Sequence, residues 1–173
     1  MRIQYGALPY RFTPDAALEF LLVTTRRSRR WIIPKGWPIK GLKPAKSAAR
    51  EAFEEAGIIG KVGAQSVGLF AYDKLAEESG VTVTCEVKVF PLLVKRQTET
   101  WPEFDQRAVQ WVPPSEALSL IKEPELKSLL EAFAARARKR ASAVAAKAPR
   151  APSKRAASVK RQRRRRHRRS GST

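Results

Sequence analysis

The segment Gly36 to Ile58, GWPIKGLKPAKSAAREAFEEAGI, constrains this chain more than any other. Glu51, Glu54 and Glu55 stand at i, i+3 and i+4, so a helix projects all three carboxylates from one face. Ala48, Ala49, Ala52 and Phe53 form an apolar set opposite them. This pattern predicts a helix from about Pro44 to Ala56. Pro44 is tolerated in the first turn, where its missing N–H is not needed, and Gly57 is the natural C-terminal stop. A helix so divided must lay its small apolar side on other secondary structure, with its acids opening into a cleft.

Like charges at this spacing destabilise a bare helix by roughly 0.2–0.5 kcal/mol per pair. Taken alone, Arg50-Glu51-x-x-Glu54-Glu55 reads as a solvated stripe. Its surroundings argue otherwise, because Pro34-Lys35-Gly36-Trp37-Pro38 and Lys40-Gly41 precede it as a loop of turn formers and cations. Carboxylate oxygens suit a hard divalent ion, which keeps several waters and binds substrate phosphates at the same time.

From Gly36 the order is thirteen residues, then Arg50-Glu51-Ala52-Phe53-Glu54-Glu55-Ala56-Gly57-Ile58. This strongly resembles the Nudix box, the loop-helix-loop motif of the Nudix hydrolases, with pattern G-x5-E-x7-R-E-U-x-E-E-x-G-U and U apolar. One fixed position departs: Leu42 stands where the family has its first Glu, and Ala52 is a small U. The missing Glu belongs to the loop rather than to the helical cluster, so it reads as subfamily variation, not as a dead site. The resemblance extends over about residues 1–135.

The rest of the chain agrees with an α+β domain. Ile3 to Arg11 and Leu18 to Thr24 read as a strand hairpin, Trp31-Ile32-Ile33 as a short buried strand, and Lys61 to Tyr72 and Val81 to Lys95 as further strands. Ala108 to Val112 is another strand. Pro113-Pro114-Ser115 opens a helix with Ser115 as N-cap, and Leu126, Leu129, Leu130 and Phe133 recur at helical spacing after Pro124. The expected architecture is the Nudix-like α/β/α sandwich with a mixed sheet over residues 1–135, followed by a basic tail, 136–173.

Charge is divided accordingly. From Arg136 onward there are 16 Lys/Arg and no Asp/Glu, against 19 basic and 16 acidic residues before it. Residues 141–173 hold too little apolar surface to offset the entropy of ordering, so disorder is expected. The block from Arg161 to Arg169 is either a solubilising tail or a polyanion-binding arm for RNA, DNA or polyphosphate. Cys85 is the sole cysteine, which excludes an internal disulfide and a cysteine zinc cluster. With no apolar leader at Met1 and no long apolar run, a soluble cytoplasmic protein is expected, with nuclear or nucleoid association through the tail.

The resemblance implies hydrolysis of a nucleoside diphosphate linked to another group, or of a related pyrophosphate, with Mg²⁺ or Mn²⁺. It implies that Glu51 and Glu55 are metal ligands, that Glu54 is a ligand or the base for the attacking water, and that Arg50 orients a glutamate of the cluster. Gly36 and Gly57 are the motif glycines. Many family members supply a further acid from outside the box; the candidates are Glu103, Glu86 and the pair Glu77-Glu78. Arg26, Arg27, Arg30, Lys35 and Lys40 are candidate substrate ligands, with Arg29 in the same cluster. The string Arg30 to Gly36 looks like the corresponding segment of the subfamily cleaving diphosphoinositol polyphosphates and diadenosine polyphosphates, and Arg107 and Trp111 add weakly to that. A 5′ pyrophosphohydrolase acting on RNA, and a non-catalytic nucleic-acid-binding module, are the rival readings.

Overall fold

The computed structural model describes residues 2–75 and 80–147; Glu77, Glu78 and the chain beyond 147 lie outside these described residues. The strands β1 (Arg2–Phe12) and β2 (Leu18–Thr24) are antiparallel, with Tyr10 opposite Phe20 and Phe12 opposite Leu18. Their turn is closed by Thr13, whose carbonyl accepts the Ala16 N–H and whose hydroxyl accepts the Ala17 N–H. Two short strands follow, β3 (Trp31–Ile32) and β4 (Lys35–Gly36), then the helix α1 (Pro44–Ala56). After it come β5 (Ile58–Val62), β6 (Gly68–Leu75), β7 (Thr82–Gln97) and β8 (Val109–Val112), and last the helices α2 (Pro114–Leu120) and α3 (Pro124–Lys147).

All eight strands join one mixed sheet. β1 runs parallel to β7 from Arg2 opposite Cys85 to Tyr10 opposite Leu93, and every other pairing is antiparallel. β7 is long enough to pair with β6 along its first half and β5 along its second. Phe20, Leu21, Leu22 and Val23 are consecutive and all buried, so both faces of β2 are covered, as in other sheets layered by helices. α1 lies against β1 and β5. α3 contributes Leu126, Leu130 and Phe133 to the core, the Phe133 ring meeting Tyr10 at 4.8 Å and Phe20 at 6.1 Å between centroids. This is an α+β Nudix-type sandwich, as expected.

Two local expectations change. The single strand expected over Lys61 to Tyr72 is two strands, β5 and β6. The register of β5 shifts between Ile59 and Gly60, where the Leu93 backbone lies so close that no side chain fits on Gly60. The chain then leaves the ladder, held by the Gly63 N–H on the Pro91 carbonyl and the Val67 N–H on the Val89 carbonyl, both at 2.8 Å. The N-cap of α2 is Pro113, not Ser115. A residue before proline is driven to extended backbone, and Pro114 suits the first helical position, so the helix starts two residues earlier.

Residues 1–141 form one compact unit. Within it Ala137 on α3 is still buried, whereas Arg136, Arg138, Lys139 and Arg140 are exposed. Among the described residues no helix is long and apolar enough to cross a membrane.

α1 ends as its sequence requires. Gly57 adopts φ 68°, and its N–H reaches the Phe53 carbonyl at 2.8 Å. A Cβ there would stand 2.6 Å from both Thr98 Oγ1 and the Trp101 ring. Left-handed backbone alone costs a non-glycine residue about 1–2 kcal/mol, and the collision adds to it. Gly57→Ala is therefore expected to lower stability by about 2 kcal/mol or more, read as a reduced urea midpoint; an unchanged midpoint would contradict this account of the turn.

Candidate active site

The acidic helix face is positioned from below by alanines. Ala45, Ala48, Ala52 and Ala56 are buried on α1, and such short side chains let the helix axis approach the sheet closely. Ser47, also buried, accepts the Ile39 N–H on its hydroxyl at 3.2 Å and so ties the preceding loop to the helix. β4 pairs with β1 through Gly36 opposite Tyr5, which holds Gly36 directly beneath Glu51. Any Cβ on Gly36 would overlap the Glu51 carboxyl group.

The three glutamates of the helix occupy different environments. Glu55 is 4% exposed. One oxygen meets Arg107 Nη2 at 2.7 Å, and the other accepts a long bond, 3.4 Å, from the Lys35 backbone N–H. Glu54 is paired with Arg50, Nε to Oε1 at 2.6 Å, and that guanidinium is largely exposed. Glu51 takes part in no hydrogen bond or ion pair among the described residues. Its proton affinity is raised by burial, then by the charges of Glu54 and Glu103. Burial likewise pushes the Glu55 carboxyl up to about 7; Arg107 and Lys35 oppose this without cancelling it, and Glu103 and Glu51 reinforce it.

Glu103 joins the cluster from outside the helix. Its backbone N–H donates to the Glu54 carbonyl at 3.0 Å, which docks the 101–107 loop on the end of α1. Its two oxygens are held by Arg26 Nη2 and Arg107 Nε, each at 2.6 Å. Glu86 is half-buried on β7, in register with Ile3 and Ala71, and is not among the charges that act on Glu51 or Glu55.

The candidate substrate cations are placed as follows. Arg26 grips Glu103, Arg30 Nη1 meets buried Glu123 at 3.0 Å, and Arg29 donates to the Gln106 carbonyl at 3.0 Å. Lys35 Nζ donates to the Tyr72 hydroxyl at 2.9 Å, and Tyr72 donates in turn to buried Gln4 at 2.7 Å. Arg27 and Lys40 are exposed on the loops before the helix, as is Leu42. Arg107 is the residue that sequence reasoning undervalued. Its i,i+4 spacing from Glu103 was the available signal, but the spacing carries weight only once the segment is known to turn.

As they stand, no three acidic, histidine or cysteine side chains among the described residues are gathered closely enough to hold a metal ion. The donor chemistry nevertheless fits a hard divalent cation. Glu51, Glu54, Glu55 and Glu103 offer only oxygen, the charges of Glu54 and Glu103 raise the proton affinity of Glu51, and Glu51 and Glu103 raise that of Glu55.

A Nudix-domain family profile matches residues 8–133. This chain belongs to the Nudix family. It is 34% identical over 132 residues to Nudix hydrolase 21, chloroplastic, of Arabidopsis thaliana, a match covering 74% of this chain and 64% of that protein. Among solved structures it is similar to an Ap4A hydrolase of C. elegans in a binary complex, at 23% identity and TM-score 0.54, over 78% of this chain and 96% of that one. It is also similar to the Nudix domain of Shewanella oneidensis NrtR complexed with ADP ribose, at 12% identity and TM-score 0.58, over 77% and 88% of the two chains.

The raised Glu55 has a measurable consequence in the absence of metal. Its folded-state value lies above the ordinary 4.5, so between the two the folded protein holds a proton that the unfolded chain has released. The stabilisation is complete below about pH 4.5 and is lost as pH rises through about 7. One such proton gives at most about 1.4 kcal/mol per pH unit. Urea unfolding in EDTA is expected to show wild type gaining on Glu55→Gln as pH falls from 8 to 5.5. Identical pH slopes for the two would refute the assignment.

Proposed function

We propose that this chain is a divalent-metal-dependent pyrophosphohydrolase that cleaves a phosphoanhydride bond in a polyphosphorylated small molecule. The favoured substrates are diphosphoinositol polyphosphates and diadenosine polyphosphates. The observation that carries this reading is the meeting of four carboxylates, Glu51, Glu54, Glu55 and Glu103, from a helix and a separate loop, at one patch flanked by arginines. A cluster that serves only stability has no reason to leave Glu51 without a partner.

Glu51, Glu54 and Glu55 would hold Mg²⁺ or Mn²⁺, with Glu103 as the acid from outside the box. The ion would supply charge neutralisation at the phosphate and acidification of a bound water. Of the two helical acids with partners, Glu54 is more exposed than Glu55, and its Arg50 partner is exposed too, so it is the better placed of the two to exchange a proton with solvent water. Arg50 would orient Glu54 by a charge-assisted hydrogen bond.

The test is a phosphate-release screen with Mg²⁺ and Mn²⁺ over dinucleoside polyphosphates, diphosphoinositol polyphosphates, nucleotide sugars, oxidised dNTPs and triphosphorylated RNA. Glu54→Gln and Glu55→Gln are each expected to lower kcat about a hundredfold or more, since losing a base or ligand removes on the order of 3 kcal/mol of transition-state stabilisation. Near-normal turnover in either variant at saturating metal would overturn the roles, and silence on every substrate would favour a binding module.

A second activity is proposed for the C-terminal segment, on the exposed Arg136, Arg138, Lys139 and Arg140 of α3 and the basic run that follows them. Sequence-independent affinity for nucleic acid comes from phosphate neutralisation and falls steeply with salt. Because α3 remains packed at Ala137, the informative deletion is 148–173, which removes 11 of the 35 basic residues. The truncated protein is expected to keep small-molecule turnover within a few fold and to lose most salt-sensitive RNA or DNA binding. Loss of turnover in a folded truncation would join the tail to the active site instead.

A further inference from the structure

Arg107 spends each of its three nitrogens on a different element. Nη2 meets Glu55 of α1 at 2.7 Å, Nε meets Glu103 of the 101–107 loop at 2.6 Å, and Nη1 donates to the Thr24 carbonyl at the end of β2 at 3.0 Å. Its side chain is only 10% exposed, whereas those of Arg26 and Arg50, the other two arginines on the cluster, are 59% and 56% exposed. A long, exposed side chain holds a partner weakly, because solvent competes and rotamer freedom is lost. A nearly buried fork with three simultaneous partners holds them in one geometry.

We propose that Arg107 is a positioning residue of the metal site: its guanidinium locks Glu55 and Glu103, 48 positions apart in the chain, into one donor set across α1 and the 101–107 loop. The inference rests on the metal-dependent reading above and names a residue outside the box that the site needs. Among the described residues the loop's backbone bond to α1 is Glu103 N–H to the Glu54 carbonyl at 3.0 Å, and without Arg107 the Glu103 carboxylate would be held only by the 59% exposed Arg26. Arg107 also supplies positive charge between two carboxylates before any metal arrives. Lysine cannot replace it, since an ammonium is a point charge without the planar fork that reaches three acceptors. Groups that orient ligands in this way typically matter by 10- to 100-fold in metal affinity or activity.

The test is a double-substitution cycle on the full chain, with Mn²⁺ affinity by electron paramagnetic resonance, kcat and KM, and folding by circular dichroism in EDTA. Arg107→Lys keeps the charge and is expected to weaken Mn²⁺ binding and lower kcat about tenfold or more, with KM within about threefold. In a Glu103→Gln background the same substitution is expected to cost clearly less than in wild type, because one of the two carboxylates it holds has gone and only the Glu55 pair is left to lose. If Arg107→Lys does not fold, Arg107→Gln, which keeps an amide donor, takes its place in the cycle. Full Mn²⁺ affinity and kcat in the Arg107 variant, or equal losses in both backgrounds, overturn the positioning role while leaving the metal site standing. A wild-type protein that binds no Mn²⁺ overturns the metal reading and this role together.

Discussion

The site depends on a contact of carboxylate with backbone: Glu51 lies directly on Gly36. For that contact to exist, β4 must be pinned to β1, the helix must sit close to the sheet, and position 36 must lack a side chain. Each condition is met by a different feature. Gly36 pairs with Tyr5 and Lys35 with Gly6; alanines rather than leucines line the buried side of α1; and glycine stands at 36. Removing any one moves the carboxylates relative to the loop beneath them. The small size of the helix's buried side chains is thus a functional requirement as much as a packing one.

Bringing four carboxylates to one patch is electrostatically costly, and the fold answers with three arginines of graded burial. Arg50 and Arg26 lie near solvent, where such a pair contributes about 0–1 kcal/mol. Arg107 and Glu55 are both nearly buried, where breaking a pair by removing one partner typically costs about 3–5 kcal/mol. The stability of the patch therefore rests on the inner pair, while the outer pairs can open for solvent and substrate. Glu51 makes no direct ion pair with any of the three arginines among the described residues and feels Arg107 only through its field. The gradient from Arg107 outward separates groups that hold shape from groups that can move.

How much of this was legible in the sequence follows from the range of each interaction. The bounds of α1 and its C-terminal turn are local facts, written in Pro44, the alanine spacing and Gly57, and they were readable. So was the facial grouping of Glu51, Glu54 and Glu55, which needs only helical periodicity. The break between β5 and β6 was not, because between Gly63 and Val67 the chain is held out of the ladder by the Pro91 and Val89 carbonyls of a strand more than twenty residues away. The start of α2 was misplaced by two residues because two prolines outrank a serine side chain. Arg107 was undervalued because its partners, Thr24, Glu55 and Glu103, converge only after β2, α1 and the loop have been assembled.

The same distinction bears on how a polyphosphate would be recognised. Arg30 provides the sole partner of the buried Glu123 carboxylate among the described residues, whose second oxygen has none. Withdrawing Arg30 toward a phosphate would leave that charge unpaired, a loss of several kcal/mol that a single new surface contact does not recover. Any contribution of Arg30 to substrate binding would therefore come through its field and by fixing the loop rather than by direct grasp. Arg26 is different: it is 59% exposed, and Glu103 retains Arg107 if Arg26 leaves. Exchange of Arg26 from Glu103 to a substrate phosphate keeps every buried charge paired. Of the two arginines of the 25–30 loop paired above with a carboxylate, Arg26 and Arg30, it is the one whose release the structure can tolerate, and the one that would couple phosphate binding to the state of the carboxylates.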